Sequence, residues 1–144
     1  MNAKQMWAQY ASQNNVDALY EAWAFGCDAD DLAQLVLREI KTATASAFPL
    51  YEVDGEPLPE AGQYSVILDS RGEAVCIICC TDVTIVPFSQ VSVEHAWREG
   101  EGDRSLEYWK RVHRQCFGQW MQEAGLVFSE DTPVVCETFL RVFP

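Results

Sequence analysis

The feature that most restricts the fold is a long run rich in β-branched and small apolar residues, EAVCIICCTDVTIVPF, from Glu73 to Phe88. Valine, isoleucine and threonine are crowded at χ1 in a helix but pack well on a pleated surface, so the run reads as strand. It is longer than an ordinary strand and so long enough to bend around a barrel. The run QYSVILD (63–69) precedes it, and Asp69-Ser70-Arg71-Gly72 between the two has hairpin chemistry. TPVVCETFLRVF (132–143) supplies a final strand.

The remaining segments carry helical spacing. Trp7 and Tyr10, then Leu19, Tyr20 and Trp23, then Leu32, Leu35 and Val36 predict three helices over residues 1–40. Asn14 or Asn15 can cap the second, Gly26 can end it, and the DADD segment places carboxylates at the positive end of the third. FPLYEVDGEPLPEAG (48–62) holds three prolines and two glycines and reads as a long surface loop, suited to be a pocket wall or lid. SVEHAWREGEGDRS (92–105) is a short helix and a glycine-broken loop, after which Ser105 can cap a helix ending at Gly125. No repeat or low-complexity tract appears. The expectation is one α+β domain over 1–144: a helical part over 1–40, then a β-barrel with inserted helices from about 41.

At 144 residues a sizeable core is available without staples. No apolar run reaches the ~18 residues of a membrane span, and the first residues lack the apolar stretch of a signal peptide. The expected address is therefore the cytoplasm, with no membrane partner and six reduced cysteines. Cys76-x-x-Cys79 has the spacing of half a zinc site, but in a strand its neighbours alternate between faces and no second ligand pair is visible. No metal and no cofactor are expected. A net charge of −12 argues against a broad cationic face, and so against long RNA as the main partner. Five of the ten basic residues, Arg98, Arg104, Lys110, Arg111 and Arg114, do cluster. Glu107 four before Arg111 makes an ordinary ion-paired helix face the commoner reading.

Three stretches can carry chemistry: Lys41-Thr42-Ala43-Thr44 after a helix, GQYSVILD, and VPFSQVSVEHAWREGEGDRSLEYWKRVH. Together with PLYE they resemble the ASCH superfamily over about Leu35 to Val142, and the EGEGDRSLEYW segment is the most specific part of the match. The resemblance implies a PUA-like mixed β-barrel with surrounding helices and a helical N-terminal extension. It also implies either RNA binding, with ribonuclease activity in some members, or the amidohydrolase activity of small members on cytidines acylated at the exocyclic amine.

In those amidohydrolases the working residues are a lysine, a threonine three positions later and a glutamate in the segment matching EHAWRE. Carried over singly, they fall on Lys41, Thr44 and Glu99, with His95 and Ala96 fixing the register. Two positions depart from the pattern: Glu39 stands where a glycine is usual, and Ser46 where many members have an arginine. The second removes a cation that would hold phosphate.

The chemistry is self-consistent: a threonine hydroxyl attacks an amide only with a base in reach. For Lys41 to be that base its pKa must fall from about 10.4 by desolvation or a nearby cation. Residues three apart face opposite ways on a strand, so a turn or tight bend over Lys41–Thr44 is expected. Glu99 would protonate the departing amine or orient the base. Thr42 and Ser46 are alternative nucleophiles or substrate contacts. Tyr64, Trp97 and Trp109 offer faces for base stacking, although aromatics at this spacing more often belong to a core. Arg104 is a substrate contact or, the favoured reading, a brace paired with Asp103. His95 and His113 read as packed or surface histidines. The expectation is thus a site of Lys41, Thr44 and Glu99, with Thr42, Ser46, Tyr64 and Arg104 around a modified nucleoside, in a monomer or homodimer. RNA binding and a degenerate ligand-sensing pocket are the alternatives.

Overall fold

In the computed structural model, which describes all 144 residues, the long apolar run is one strand, β4 (Ala74–Pro87). It pairs antiparallel with β3 (Tyr64–Leu68) on one side and β5 (Pro133–Phe143) on the other. The pairing with β5 slips between Cys80 and Asp82, where Thr81 is an extra residue opposite the Phe139–Thr138 step. Such a bulge bends a strand and increases its twist, and here β4 turns from a core strand into an edge of the molecule. Residues 76–78 are buried, whereas Thr81, Asp82, Thr84 and Ile85 are exposed.

Two short strands complete a five-stranded sheet in the order β1-β3-β4-β5-β2. β1 (Tyr20–Trp23) runs parallel to β3, and β2 (Ala43–Ala47) antiparallel to β5. The expected barrel is therefore corrected: β1 and β2 are both edges, and the sheet does not close. Residues of both edges line one cavity, so the open seam is also where a ligand can enter.

β1 overturns the second expected helix. Tyr20 and Trp23 fit helical spacing, but a helical stripe would bury Leu19, which is 94% exposed. Four residues are too few for a period to decide, and β-favouring aromatics pairing with Tyr64 and Ile67 win. The proline-rich segment also differs from its reading. Phe48–Asp54 is helix α3, with Pro49 in the first turn, where a proline's missing N–H goes unused by the helix. Gly55 ends it in the left-handed region, at φ 65°. Only the stretch after it is loop, and Glu56, Pro57, Leu58 and Pro59 do form a cavity wall.

The helices cover both faces of β3–β4. α1 (Ala3–Asn14), opened by an Asn2/Gln5 capping box, packs Met6 and Tyr10 on Val66 and Ile77. α2 (Ala29–Leu37) packs Ala33 and Val36 on Ile67, Cys76 and Ile78. α4 (Val93–Glu99) and α5 (Leu106–Glu123), capped by Ser92 and Ser105, close the other end around Phe88, Trp109, Phe117 and Val134. No helix is long and apolar enough to cross a membrane.

Candidate active site

Two helix ends place the site. α2 ends in a Schellman motif, in which the Glu39 N–H bonds the Val36 carbonyl oxygen and the Ile40 N–H bonds that of Leu35. Glu39 sits in the left-handed region at φ 61°. That is the conformation that favours glycine, the residue the resemblance implies for this position. The motif swings the chain so that Lys41 points inward, 1% exposed. Contrary to the expected bend over Lys41–Thr44, the turn lies before Lys41 and Thr44 is already in β2.

Glu99 arrives from the opposite direction, at the last residue of α4. The next residue, Gly100, has φ +74°, and a Cβ on it would lie 2.6 Å from the Ile40 carbonyl oxygen. Gly100→Ala is therefore expected to lower stability by roughly 2 kcal/mol or more, since both strain and a backbone clash act at once. Urea denaturation at neutral pH measures it, and an unchanged midpoint would contradict the close packing of these two chain ends.

Inside, Lys41 Nζ lies 3.0 Å from Glu99 Oε1 and 2.9 Å from Glu101 Oε2, with the Phe25 ring centroid at 5.3 Å. The other Glu99 oxygen, Oε2, faces His95 Nε2 at 2.8 Å and accepts from the Trp109 indole N–H. The Nδ1–H of His113 donates to the Trp109 carbonyl oxygen, which leaves its Nε2 facing Glu99 Oε1 at 3.6 Å. Burial pushes the Glu99 carboxyl up, but Lys41 and the two histidines outweigh it and hold it well below the usual range. Burial likewise works against the Lys41 ammonium, yet Glu99 and Glu101 outweigh it and raise its pKa. For His113 burial is again the opposing influence, and the bond to Glu99 lifts it above the ordinary histidine value. Glu101 is raised by burial and by its neighbour Glu99, against the pull of Lys41.

Two of the expected roles meet resistance here. Lys41 is held as a cation, opposite to the shift a lysine base needs. Glu99 is held ionised with both oxygens engaged by donors, so it has no proton for a leaving amine. Ligand atoms of Glu99, Glu101 and His113 lie within 4.8 Å of one another, a metal-like grouping. The Lys41 ammonium on both carboxylates is the cation this cluster holds.

Two cavities meet at Thr44, and the smaller one reaches this cluster. A small hollow of about 70 Å³ is lined by Lys41, Thr44, Glu99, Glu101 and His113. A larger one of about 770 Å³ opens between β1 and β2, with Glu21, Ser46, Tyr51, Glu56 and Glu137 among its walls. Five residues line both: Phe25, Gly26, Thr44, Ala45 and Trp120. Thr44 is the one nucleophilic side chain among them.

A family model for the ASCH domain matches residues 21–142. The chain belongs to the ASCH domain family. Its fold agrees with that of a crystallised ASCH domain from Lactobacillus crispatus, at 32% identity and TM-score 0.90, covering 98% of this chain and 94% of that one. A protein of known structure from Enterococcus faecalis is similar at 34% identity and TM-score 0.91, covering 99% of this chain and 88% of the other. No curated protein matches. The PUA-like α+β arrangement implied by the sequence is thus present in this ASCH domain, with an open sheet.

The expected substrate contacts divide. Ser46 lines the larger cavity and its hydroxyl shares a 2.7 Å hydrogen bond with that of Tyr51. Thr42 lies outside both cavities; its backbone N–H and hydroxyl reach the Arg98 carbonyl oxygen. Tyr64 is turned to the other face of the sheet, among Trp7 and Tyr10. Arg104 also lies outside the cavities. Its guanidinium stacks 3.7 Å from the Trp97 ring centroid and donates to the carbonyl oxygens of Trp97 and Ile40. The expected pairing with Asp103 is not formed: the partners of Arg104 are backbone and Trp97, while Asp103 caps the Ser105 N–H.

The sequence reading missed the convergence of His95, His113, Glu101 and Trp109 on Lys41 and Glu99. Helical spacing held a faint signal: His95/Glu99 and Trp109/His113 are each four apart, one turn of α4 and α5. It also missed Glu137, which lies directly opposite Thr44 in the β2–β5 ladder. Burial and then Glu21 push the Glu137 carboxyl up to about 7.

Proposed function

We propose that this ASCH domain is an amidohydrolase that removes the acyl group from the exocyclic amine of a cytidine-type nucleoside, with Thr44 as nucleophile. The observation that carries this reading is the position of Thr44 at the junction of the two cavities. The larger cavity, about 770 Å³, suits a nucleoside-sized ligand. Thr44 shares the small hollow with the buried Lys41 ammonium. Thr44 Oγ attacks the amide carbon, the exocyclic amine leaves, and water then releases the acyl group as a carboxylic acid. Lys41 serves as a fixed cation favouring the oxyanion that develops at the carbonyl, and Glu99 holds Lys41 in place.

Glu21, Glu56 and Glu137 line the larger cavity, and no lysine, arginine or histidine does. A neutral nucleoside is therefore favoured over a phosphorylated one. Purified protein incubated with N(4)-acetylcytidine is expected to yield cytidine and acetate, with kcat/KM at least ~10-fold higher than for the 5′-phosphate. Absence of cytidine release removes the reading, and preference for the phosphate removes the neutral substrate. RNA binding, the alternative implied by the family, has less support. Of the five clustered cations, Arg104 is folded onto Trp97 and Arg114 is paired with Glu130 at 2.7 Å.

A further inference from the structure

In the reaction proposed above, the Thr44 proton needs a destination, and neither Lys41 nor Glu99 offers one. Lys41 is an ammonium between two carboxylates, and both Glu99 oxygens are engaged by surrounding donors. On the opposite side of Thr44 the sheet supplies a candidate. Thr44 and Glu137 are direct partners on adjacent antiparallel strands. Side chains so paired leave the same face, with Cβ atoms roughly 5 Å apart. Both line the larger cavity, where the ligand would lie.

We propose that Glu137 is a catalytic residue of this site, taking the Thr44 hydroxyl proton during attack and delivering it to the departing exocyclic amine. The inference rests on the amidohydrolase reading. In the first half, the Thr44 Oγ–acyl carbon bond forms, the carbon–N(4) bond breaks, and the proton passes from Oγ through the Glu137 carboxylate to the amine. In the second half, water adds to the acyl carbon and gives a proton to Glu137. The ester C–O bond then breaks, and Thr44 Oγ takes that proton back. No oxidant or further reactant is needed.

The surroundings suit a group that must both accept and give a proton near neutrality. Facing Glu137 are Glu21 from β1, Cys80 from β4 and Tyr51 from α3, with Glu56 from the following loop nearby. No cation lines the cavity to pin Glu137 in its ionised form, as Lys41 pins Glu99. Without such a clamp, Glu137 is a carboxylate beside Thr44 whose protonation can change during turnover.

The test uses the full chain with N(4)-acetylcytidine. For wild type, kcat/KM should rise as pH passes through about 7, where Glu137 loses its proton. Glu137→Gln is expected to lower kcat by roughly 10²-fold or more and to lose that pH limb, with KM little changed. Glu137→Asp should restore part of the rate and keep a limb, which a merely structural role would not require. If wild type turns over and both variants match it in rate and in pH profile, the assignment to Glu137 is overturned and the amidohydrolase reading stands. If wild type releases no cytidine, the reading fails and the assignment with it.

Discussion

Thr44→Ala is expected to reduce cytidine release from N(4)-acetylcytidine by roughly 10³-fold or more, while the protein keeps its fold. The size follows from the chemistry: without the hydroxyl there is no covalent acyl intermediate, and the remaining groups provide only binding and charge. Stability should change little, because Thr44 is half-buried at an edge strand whose ladder to β5 is made by the backbone. Thr44→Ser keeps the nucleophile without its methyl group and should retain measurable turnover. Steady-state kinetics on the three proteins, with thermal unfolding as a control, decides the matter. An alanine variant as active as wild type would take Thr44 out of the chemistry.

Lys41→Met is expected to cost about 3–5 kcal/mol of stability at neutral pH, because it leaves two buried carboxylates without their cation. Glu99 is 1% exposed and Glu101 16%, so neither can recover its full hydration. In the wild type the lowered Glu99 pKa contributes stability that is present above the unfolded carboxylate value and lost as pH falls through the folded one. The raised Lys41 pKa contributes stability that is full below the unfolded lysine value and lost as pH rises through the folded one. Without Lys41 the largest influence opposing burial at Glu99 is gone and only the two histidines remain to hold its carboxyl down, so the variant should gain less stability than wild type as pH rises through the acidic range. Pairing Lys41→Met with Glu99→Gln should recover part of the loss, giving a non-additive cycle. Urea denaturation across pH measures this, and additive losses with no pH dependence would mean that the three groups do not act as a unit.

The sequence revealed most where its signals were long. β4, the cap at Ser105 and the long helix α5 are periodic or punctuated over enough chain to be legible. β1 was not: so short a strand carries no period, and it forms because β3 offers a partner. Nor was the open seam, which exists because β1 and β2, neighbours in chain order, end at opposite edges of one sheet. For the site, resemblance named Lys41, Thr44 and Glu99, and these do line one hollow. Their charge states were illegible, because the pKa of Lys41 is set by Glu99 and Glu101, which lie far along the chain on the other side of β3 and β4. Glu137 was likewise hidden, since only the β2–β5 register brings it beside Thr44.

The central claim is that an acyl group passes onto Thr44, and mass spectrometry of acid-quenched protein mixed with N(4)-acetylcytidine tests it most directly. The expected result is a mass increase of one acetyl group, mapped by peptide sequencing to Thr44, absent from Thr44→Ala and accumulating before steady state. Turnover by wild type with no acyl adduct on Thr44 at any time, or with the adduct on another residue, would contradict it.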